Sequence, residues 1–213
     1  MSSEQHKIGE AERESRAVAE ASRQQEWTEP SFLRELFLGR FRLDLIHPFP
    51  TGGQERPEFV EWYGALSRFL LEEVDSAEID RTGEYPARVV ERLKQLGAFG
   101  MKIPKEYGGL GFSQVEYDKV MHLIGTCDGN LGALLSAHQS IGVPQPLKMF
   151  GTDAQKKEWL PRCAKGAISG FALTEPSVGS DPASLATTYE LTPDGQSFII
   201  NGEKLWCTNG PIA

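Results

Sequence analysis

Two short stretches hold the residues whose types and spacing could do chemistry. The first is Phe171-Ala-Leu-Thr-Glu-Pro-Ser-Val-Gly-Ser-Asp181, where an apolar, β-prone run from Ile168 to Leu173 ends in Thr174. A turn-rich loop follows, with Pro176, Gly179, Asp181 and Pro182, and with hydroxyls at Thr174, Ser177 and Ser180. A strand that runs into such a loop presents backbone N–H groups and hydroxyls to a ligand. The second stretch carries Trp206 and Thr208, two positions apart and so expected on one face of a strand. An aromatic plate beside a hydroxyl would suit a flat, polar, redox-active ring. Thr and Trp are also ordinary strand residues, so packing alone explains the pair equally well.

Other chemistries have less support. Gly166-Ala-Ile-Ser-Gly170 only superficially resembles a nucleophile elbow, because Ala167 stands where glycine is needed. His138 has no acid within a helical turn and reads as a hydrogen-bonded structural histidine; His47 has no neighbouring partner. Cys127, Cys163 and Cys207 are far apart, with no Cys-x-x-Cys or Cys/His cluster, so no metal site is expected. Three free thiols fit a reducing compartment. The net charge of −8 with no basic block argues against nucleic-acid binding. No apolar run reaches membrane-span length, and the acidic N-terminus does not resemble a presequence, so a cytoplasmic location is expected.

The elements that must position these stretches are mostly helical. Residues 1–29 read as a mobile charged arm. Pro30-Ser31 opens an amphipathic helix over 30–46 that carries Phe32, Leu33, Leu36, Phe37 and Phe41, and 47–57 reads as a linker. A helix is expected over 58–79, with Phe59, Trp62, Leu66, Phe69 and Leu70 on one face. Another follows Tyr85-Pro86 and ends at Gly97. Glu106-Tyr-Gly-Gly-Leu-Gly111 reads as a structural turn. Ser113 and Glu116 form a capping box for the next helix, which Asp128-Gly129 ends. A mostly apolar helix over 130–143 should be central. Its small residues, among them Ala133 and Ala137, admit another helix or a thin apolar ligand. Thr152 or Asp153 caps a short helix stopped by Pro161. From Ala167 the period changes to that of strands: Thr187–Leu191, a turn at Pro193-Asp-Gly195, Ser197–Ile200, a hairpin at Asn201-Gly202, and a returning strand over Lys204–Thr208.

The two chemical stretches, Phe171–Asp181 and Asn201-Gly-Glu-Lys-Leu-Trp-Cys-Thr-Asn-Gly210, together resemble the paired signature of the acyl-CoA dehydrogenases. Ile103-Pro-Lys-Glu-Tyr-Gly-Gly-Leu-Gly111 occupies the matching place in the helical part. Ser31–Phe41, Leu96–Gly100 and Ala137-His-Gln-Ser-Ile-Gly142 are most similar to the very-long-chain branch, and the resemblance covers roughly residues 30–213. It implies an α+β fold: an all-helical N-terminal domain over 30–166, then over 167–213 the first strands of an antiparallel β-barrel or sandwich middle domain. It implies FAD as cofactor, with Phe171, Leu173 and Thr174 along the flavin and the Thr174 hydroxyl and backbone N–H groups at its N1/C2=O edge. Gly179 would allow close backbone approach. Ser180 would meet a phosphate oxygen or the acyl-CoA. Trp206 would flank the ring and Thr208 would reach N5. Ala133 and Ala137 would line a deep acyl pocket.

The same resemblance implies oxidation of a long-chain fatty acyl-CoA in β-oxidation, an electron-transfer flavoprotein as electron acceptor, and a homo-oligomer at full length. The family's proton-abstracting glutamate lies in a C-terminal helical domain, beyond Ala213, so no catalytic residue is assigned here. The chain is therefore expected to be an N-terminal part, inactive alone, with an unpaired edge near Thr208. A non-catalytic binding chain and a flavin oxidase on the same fold are the alternatives.

Overall fold

The computed structural model describes residues 30–48 and 55–213, together with Arg13 and Ala17. The expected N-terminal arm and most of the 47–57 linker lie outside the described residues. The chain forms two compact units, one of Arg56–Ser177 with Thr188–Ala213 and the other of Met1–Glu55 with Val178–Thr187.

In the smaller unit, the helix read over 30–46 is much shorter. Helix α1, Phe32–Phe37, is capped by the Ser31 side chain, and it ends where Gly39 takes a positive φ of 77°. A 3-10 turn, Leu43–Leu45, follows. The Arg42 side chain pairs with Asp44, and Arg40 with Glu35.

The larger unit is built on helices. The helix expected over 58–79 is two: α2, Pro57–Glu73, and α3, Ser76–Thr82. Val74 is extended, and the Asp75 carboxylate accepts the Glu78 N–H, so a cap inside the acidic run restarts the helix. Helix α4, Ala87–Gln95, begins after Pro86 and gives way to Gly97 at φ 72°. Helix α5, Gln114–Cys127, starts on the predicted capping box of Ser113 and Glu116. Arg56 grips the Glu116 carboxylate through two nitrogens at 2.7 and 2.6 Å, which lowers that carboxyl to about 2.

Helix α6 is Gly129–Ser136, after which the chain widens into a π-helical turn, Ala137–Ile141. Helix α7, Pro144–Phe150, and helix α8, Asp153–Ala164, complete the bundle. Pro161 does not stop α8 as the sequence suggests, because the helix continues past it and Lys165 N–H donates to the Pro161 carbonyl.

The core gathers the predicted stripes: Phe59, Leu66 and Phe69 of α2, Val89 and Leu93 of α4, Val120 and Ile124 of α5, and Leu131, Leu134 and Leu135 of α6. The glycine turn is structural. A Cβ on Gly109 would stand 2.1 Å from the Ile103 carbonyl oxygen, and the turn returns hydrogen bonds from Leu110 and Phe112 to Gly100 and Met101.

Asp128 closes α5 and opens α6. It is 3 % exposed; its carboxylate accepts the Leu131 N–H at 2.9 Å and the Ser76 hydroxyl at 2.7 Å. Asp128→Ala is expected to destabilise the chain by about 2 kcal/mol, from the lost cap and the orphaned donors. Asp128→Asn keeps an acceptor and should lose less than half as much. Urea unfolding of both variants checks this.

Two strands, β1 (Thr188–Leu191) and β2 (Phe198–Asn201), pair antiparallel with Tyr189 opposite Ile200 and Leu191 opposite Phe198. Their turn is held by the Thr192 hydroxyl and Asp194, with Gly195 at φ 69°. The hairpin expected at Asn201-Gly202 does not form. Beyond Gly202 the chain leaves β2 and runs beside residues 173–175 instead.

Candidate functional site

The departure from β2 has a local cause. Glu175 is 5 % exposed, and a buried carboxylate needs a cation. Lys204 supplies it, with its Nζ 2.8 Å from Glu175 Oε1 and 3.0 Å from the Leu173 carbonyl. The adjacent Leu205 N–H then donates to the Thr174 carbonyl at 2.8 Å. Three bonds thus lay the Lys204–Thr208 stretch against Phe171–Glu175, bringing together the two stretches singled out from the sequence.

Neither stretch is a regular strand. The backbone N–H groups of Phe171, Leu173 and Thr174 carry no hydrogen bond among the described residues, and neither does the half-buried Thr174 hydroxyl. Phe171 is 40 % exposed. On the second stretch, Trp206 takes a positive φ of 56° and is 86 % exposed. Thr208 N–H donates back to the Trp206 carbonyl at 2.9 Å, and Gly210 N–H to that of Cys207 at 2.8 Å. The backbone therefore satisfies itself in tight turns. Strand alternation does not put Trp206 and Thr208 on a shared face, so that expectation is corrected. An exposed aromatic and a row of unused donors lie on neighbouring segments.

Thr208 also lines a cavity of about 570 Å³ with Tyr85, Val90, Lys94, Ile168 and Asn209. Burial, with the nearby Asp128 charge adding to it, pushes the Tyr85 phenol up; its hydroxyl donates to the Asn130 carbonyl at 3.0 Å. Ala133 and Ala137 do not line this cavity. Ala133 is exposed on α6, and Ala137 is buried at the start of the π-helical turn. Gly179 and Ser180 belong to the smaller unit and are exposed. They precede a 3-10 turn, Pro182–Ser184, in which Ser184 donates to Asp181 through both its N–H and its hydroxyl.

Sequence reasoning missed three contributors. Lys204 and Glu175 stand within the two quoted stretches but were given no role, and no local pattern pairs charges 29 positions apart. Asn209 was likewise given no role of its own. It is 7 % exposed, and its Nδ2 donates to the Leu134 and Ser169 carbonyls at 3.0 and 3.3 Å.

The helical bundle and the strand segments that follow it each match a family model. Residues 57–167 match the acyl-CoA dehydrogenase N-terminal domain and residues 170–213 its middle domain. The chain belongs to the acyl-CoA dehydrogenase family. It is 53% identical over 202 residues to "Probable acyl-CoA dehydrogenase FadE10" of Mycobacterium tuberculosis, a match covering 95% of this chain and 31% of that protein. It is 39% identical over 186 residues to the human mitochondrial very long-chain specific acyl-CoA dehydrogenase, covering 86% of this chain and 28% of that one. A solved acyl-CoA dehydrogenase complexed with FAD, from Bacillus anthracis, superposes with a TM-score of 0.64 at 32% identity, covering 75% of this chain and 28% of that one. The chain thus spans about a third of the length of the curated relatives it matches.

Proposed function

We propose that this chain carries the flavin-facing part of an FAD-dependent acyl-CoA dehydrogenase that oxidises a long-chain fatty acyl-CoA to the trans-2-enoyl-CoA in β-oxidation. One observation carries the reading: the unused N–H donors of Phe171, Leu173 and Thr174 and the Thr174 hydroxyl run beside a segment that exposes Trp206. Donors in a row fit the acceptor-rich edge of a flat heteroaromatic, and an indole fits its face. The residues present therefore fit FAD, which when bound supplies the acceptor for the substrate hydride.

The chain's own contribution is binding and orientation. Fixed donors at 171–174 stabilise negative charge on a ligand edge without reorganising. Trp206 flanks the ligand, and the Thr208 hydroxyl lies on the same segment. Gly179 and Ser180 are proposed for ligand phosphate or acyl-CoA, and Ala133 and Ala137 for the acyl chain. No residue of this chain is proposed as the base that removes the α-proton. Electron-transfer flavoprotein as acceptor and homo-oligomeric assembly belong to the same reading, as does a cytoplasmic location, which the three free thiols support.

Titrating the purified chain with FAD, followed by flavin fluorescence, tests the proposal. Thr174→Val and Trp206→Ala should each weaken binding at least tenfold, or about 1.4 kcal/mol. Wild-type affinity in both variants would count against this site. A second reading, a binding chain without flavin, draws on the exposed Tyr189, Phe198 and Ile200 of the hairpin. A colourless chain with no FAD affinity would favour it.

A further inference from the structure

His138 is fully buried, although nothing in the proposed chemistry uses it. Its Nε2 lies 3.1 Å from the Phe99 carbonyl, which can only accept, so the ring proton sits on Nε2. Nδ1 is left to accept, and Ser169 meets it twice, through its hydroxyl at 2.9 Å and its N–H at 3.1 Å. The Ser169 hydroxyl also accepts the Val143 N–H at 3.1 Å, and its carbonyl accepts Asn209 Nδ2. Every polar atom of Ser169 is engaged. Gly142 is shaped around it, since a Cβ there would lie 2.3 Å from the Ser169 hydroxyl oxygen. Among the described residues no acid joins this Ser–His pair, and the histidine has no exposure, so it is not a hydrolytic dyad.

The pair sits where two segments depart. Ser169 is two residues before Phe171, and Asn209 is one residue after Thr208. Asn209 takes φ 68°, a conformation asparagine adopts more readily than most residues, and this turns its amide inward to the Leu134 carbonyl of α6. Between them, Gly170 packs beside Thr208: a Cβ there would be in ordinary contact, 3.4 Å from the Thr208 carbonyl oxygen. The π-helical turn carries the histidine of this anchor. It directs two consecutive residues inward, both with no exposure, and Gln139 in turn binds the Ala98 carbonyl and the Lys102 N–H.

We propose that His138, Ser169 and Asn209 are positioning residues: a buried hydrogen-bond node, seated on the π-helical turn, that fixes the Phe171–Thr174 and Trp206–Thr208 segments relative to each other. The inference deepens the flavin reading and rests on it for its functional consequence. The node's mechanical role is independent of that reading.

The test uses Ser169→Ala, which removes the hydroxyl shared by His138 and Val143, and Asn209→Gly, which removes the amide and keeps the backbone conformation. Amide exchange by NMR reads the cross-segment bond of Leu205 against Ile124 in α5. In each variant Leu205 should exchange at least tenfold faster, while Ile124 stays within twofold. FAD affinity should fall at least tenfold and the bound flavin spectrum should shift. An unchanged Leu205, or Leu205 and Ile124 rising by the same factor, overturns the proposal. So does a wild-type chain that binds FAD while both variants bind it equally well with the same spectrum. A wild-type chain that binds no FAD counts against the flavin reading alone, and the exchange comparison then decides the node. Should Ser169→Ala fail to fold, Asn209→Gly carries the same outcomes.

Discussion

Lys204→Met is expected to destabilise the larger unit by about 3 kcal/mol, the lower end of what removing one partner of a buried ion pair costs. The side chain of Glu175 is 4 % exposed and that of Lys204 22 %, so the change takes a charge-assisted partner from a carboxylate held out of water. Methionine fills much the same volume, so packing is not the main loss. The Leu173 carbonyl also loses a donor. If desolvation is the cause, removing the acid as well should restore stability: Lys204→Met combined with Glu175→Leu should recover at least half of the loss, because the buried charge is gone too. Urea unfolding at constant m-value measures both variants. A single variant within 1 kcal/mol of wild type would show that the pair does not hold these segments. FAD binding should weaken with the single variant, since Lys204 and Leu205 together hold the second segment against Thr174.

The second large effect is acid destabilisation through His138. Burial pushes its imidazole down to about 4, with the Phe99 carbonyl bond opposing the shift. The folded pKa is below the ordinary 6.5, so between these values the unfolded chain holds the proton and the folded chain does not. The contribution is fully present above pH 6.5, falls as pH drops, and levels off below about 4. At roughly 1.4 kcal/mol per pH unit, crossing this window removes about 3 kcal/mol of stability. Protonation would also force a donor onto Nδ1 facing the Ser169 N–H, so the node should fail before the rest of the core. Glu116, lowered to about 2 by Arg56, acts in a separate window, losing its contribution as pH falls from the ordinary carboxylate range toward 2. Unfolding free energies measured from pH 7.5 to 4 should therefore slope downward in the wild type and run flatter in His138→Gln, which has no titrating ring. Parallel slopes in the two proteins would remove His138 as the cause.

Much of the helical scaffold was legible in the sequence because its signals are local. The capping box of Ser113 and Glu116, the proline before α4, the glycine after it and the turn at Pro193–Gly195 each depend on residues within a few positions. Boundaries failed where a cap lay inside an apparent stripe, as at Asp75, or where a proline was tolerated inside a helix, as at Pro161. The returning strand failed for another reason. Its partner is not the preceding strand but a stretch about thirty residues earlier, chosen by a buried charge.

By itself, the sequence determined the family, the change from helices to strands, most of the apolar faces that form the core, and the two stretches that make up the candidate site. Periodicity, capping and motif spacing encode these, because each depends on neighbours along the chain. Only the tertiary structure decided how the two stretches meet: Lys204 on Glu175, Leu205 on Thr174, and Asn209 reaching a carbonyl 75 positions away. It also decided which partners His138 finds, the Phe99 carbonyl that accepts from Nε2 and the Ser169 hydroxyl and N–H that donate to Nδ1, all brought in from other elements. Polar groups withdrawn from water must find partners wherever the fold places them, and no local pattern records where that will be.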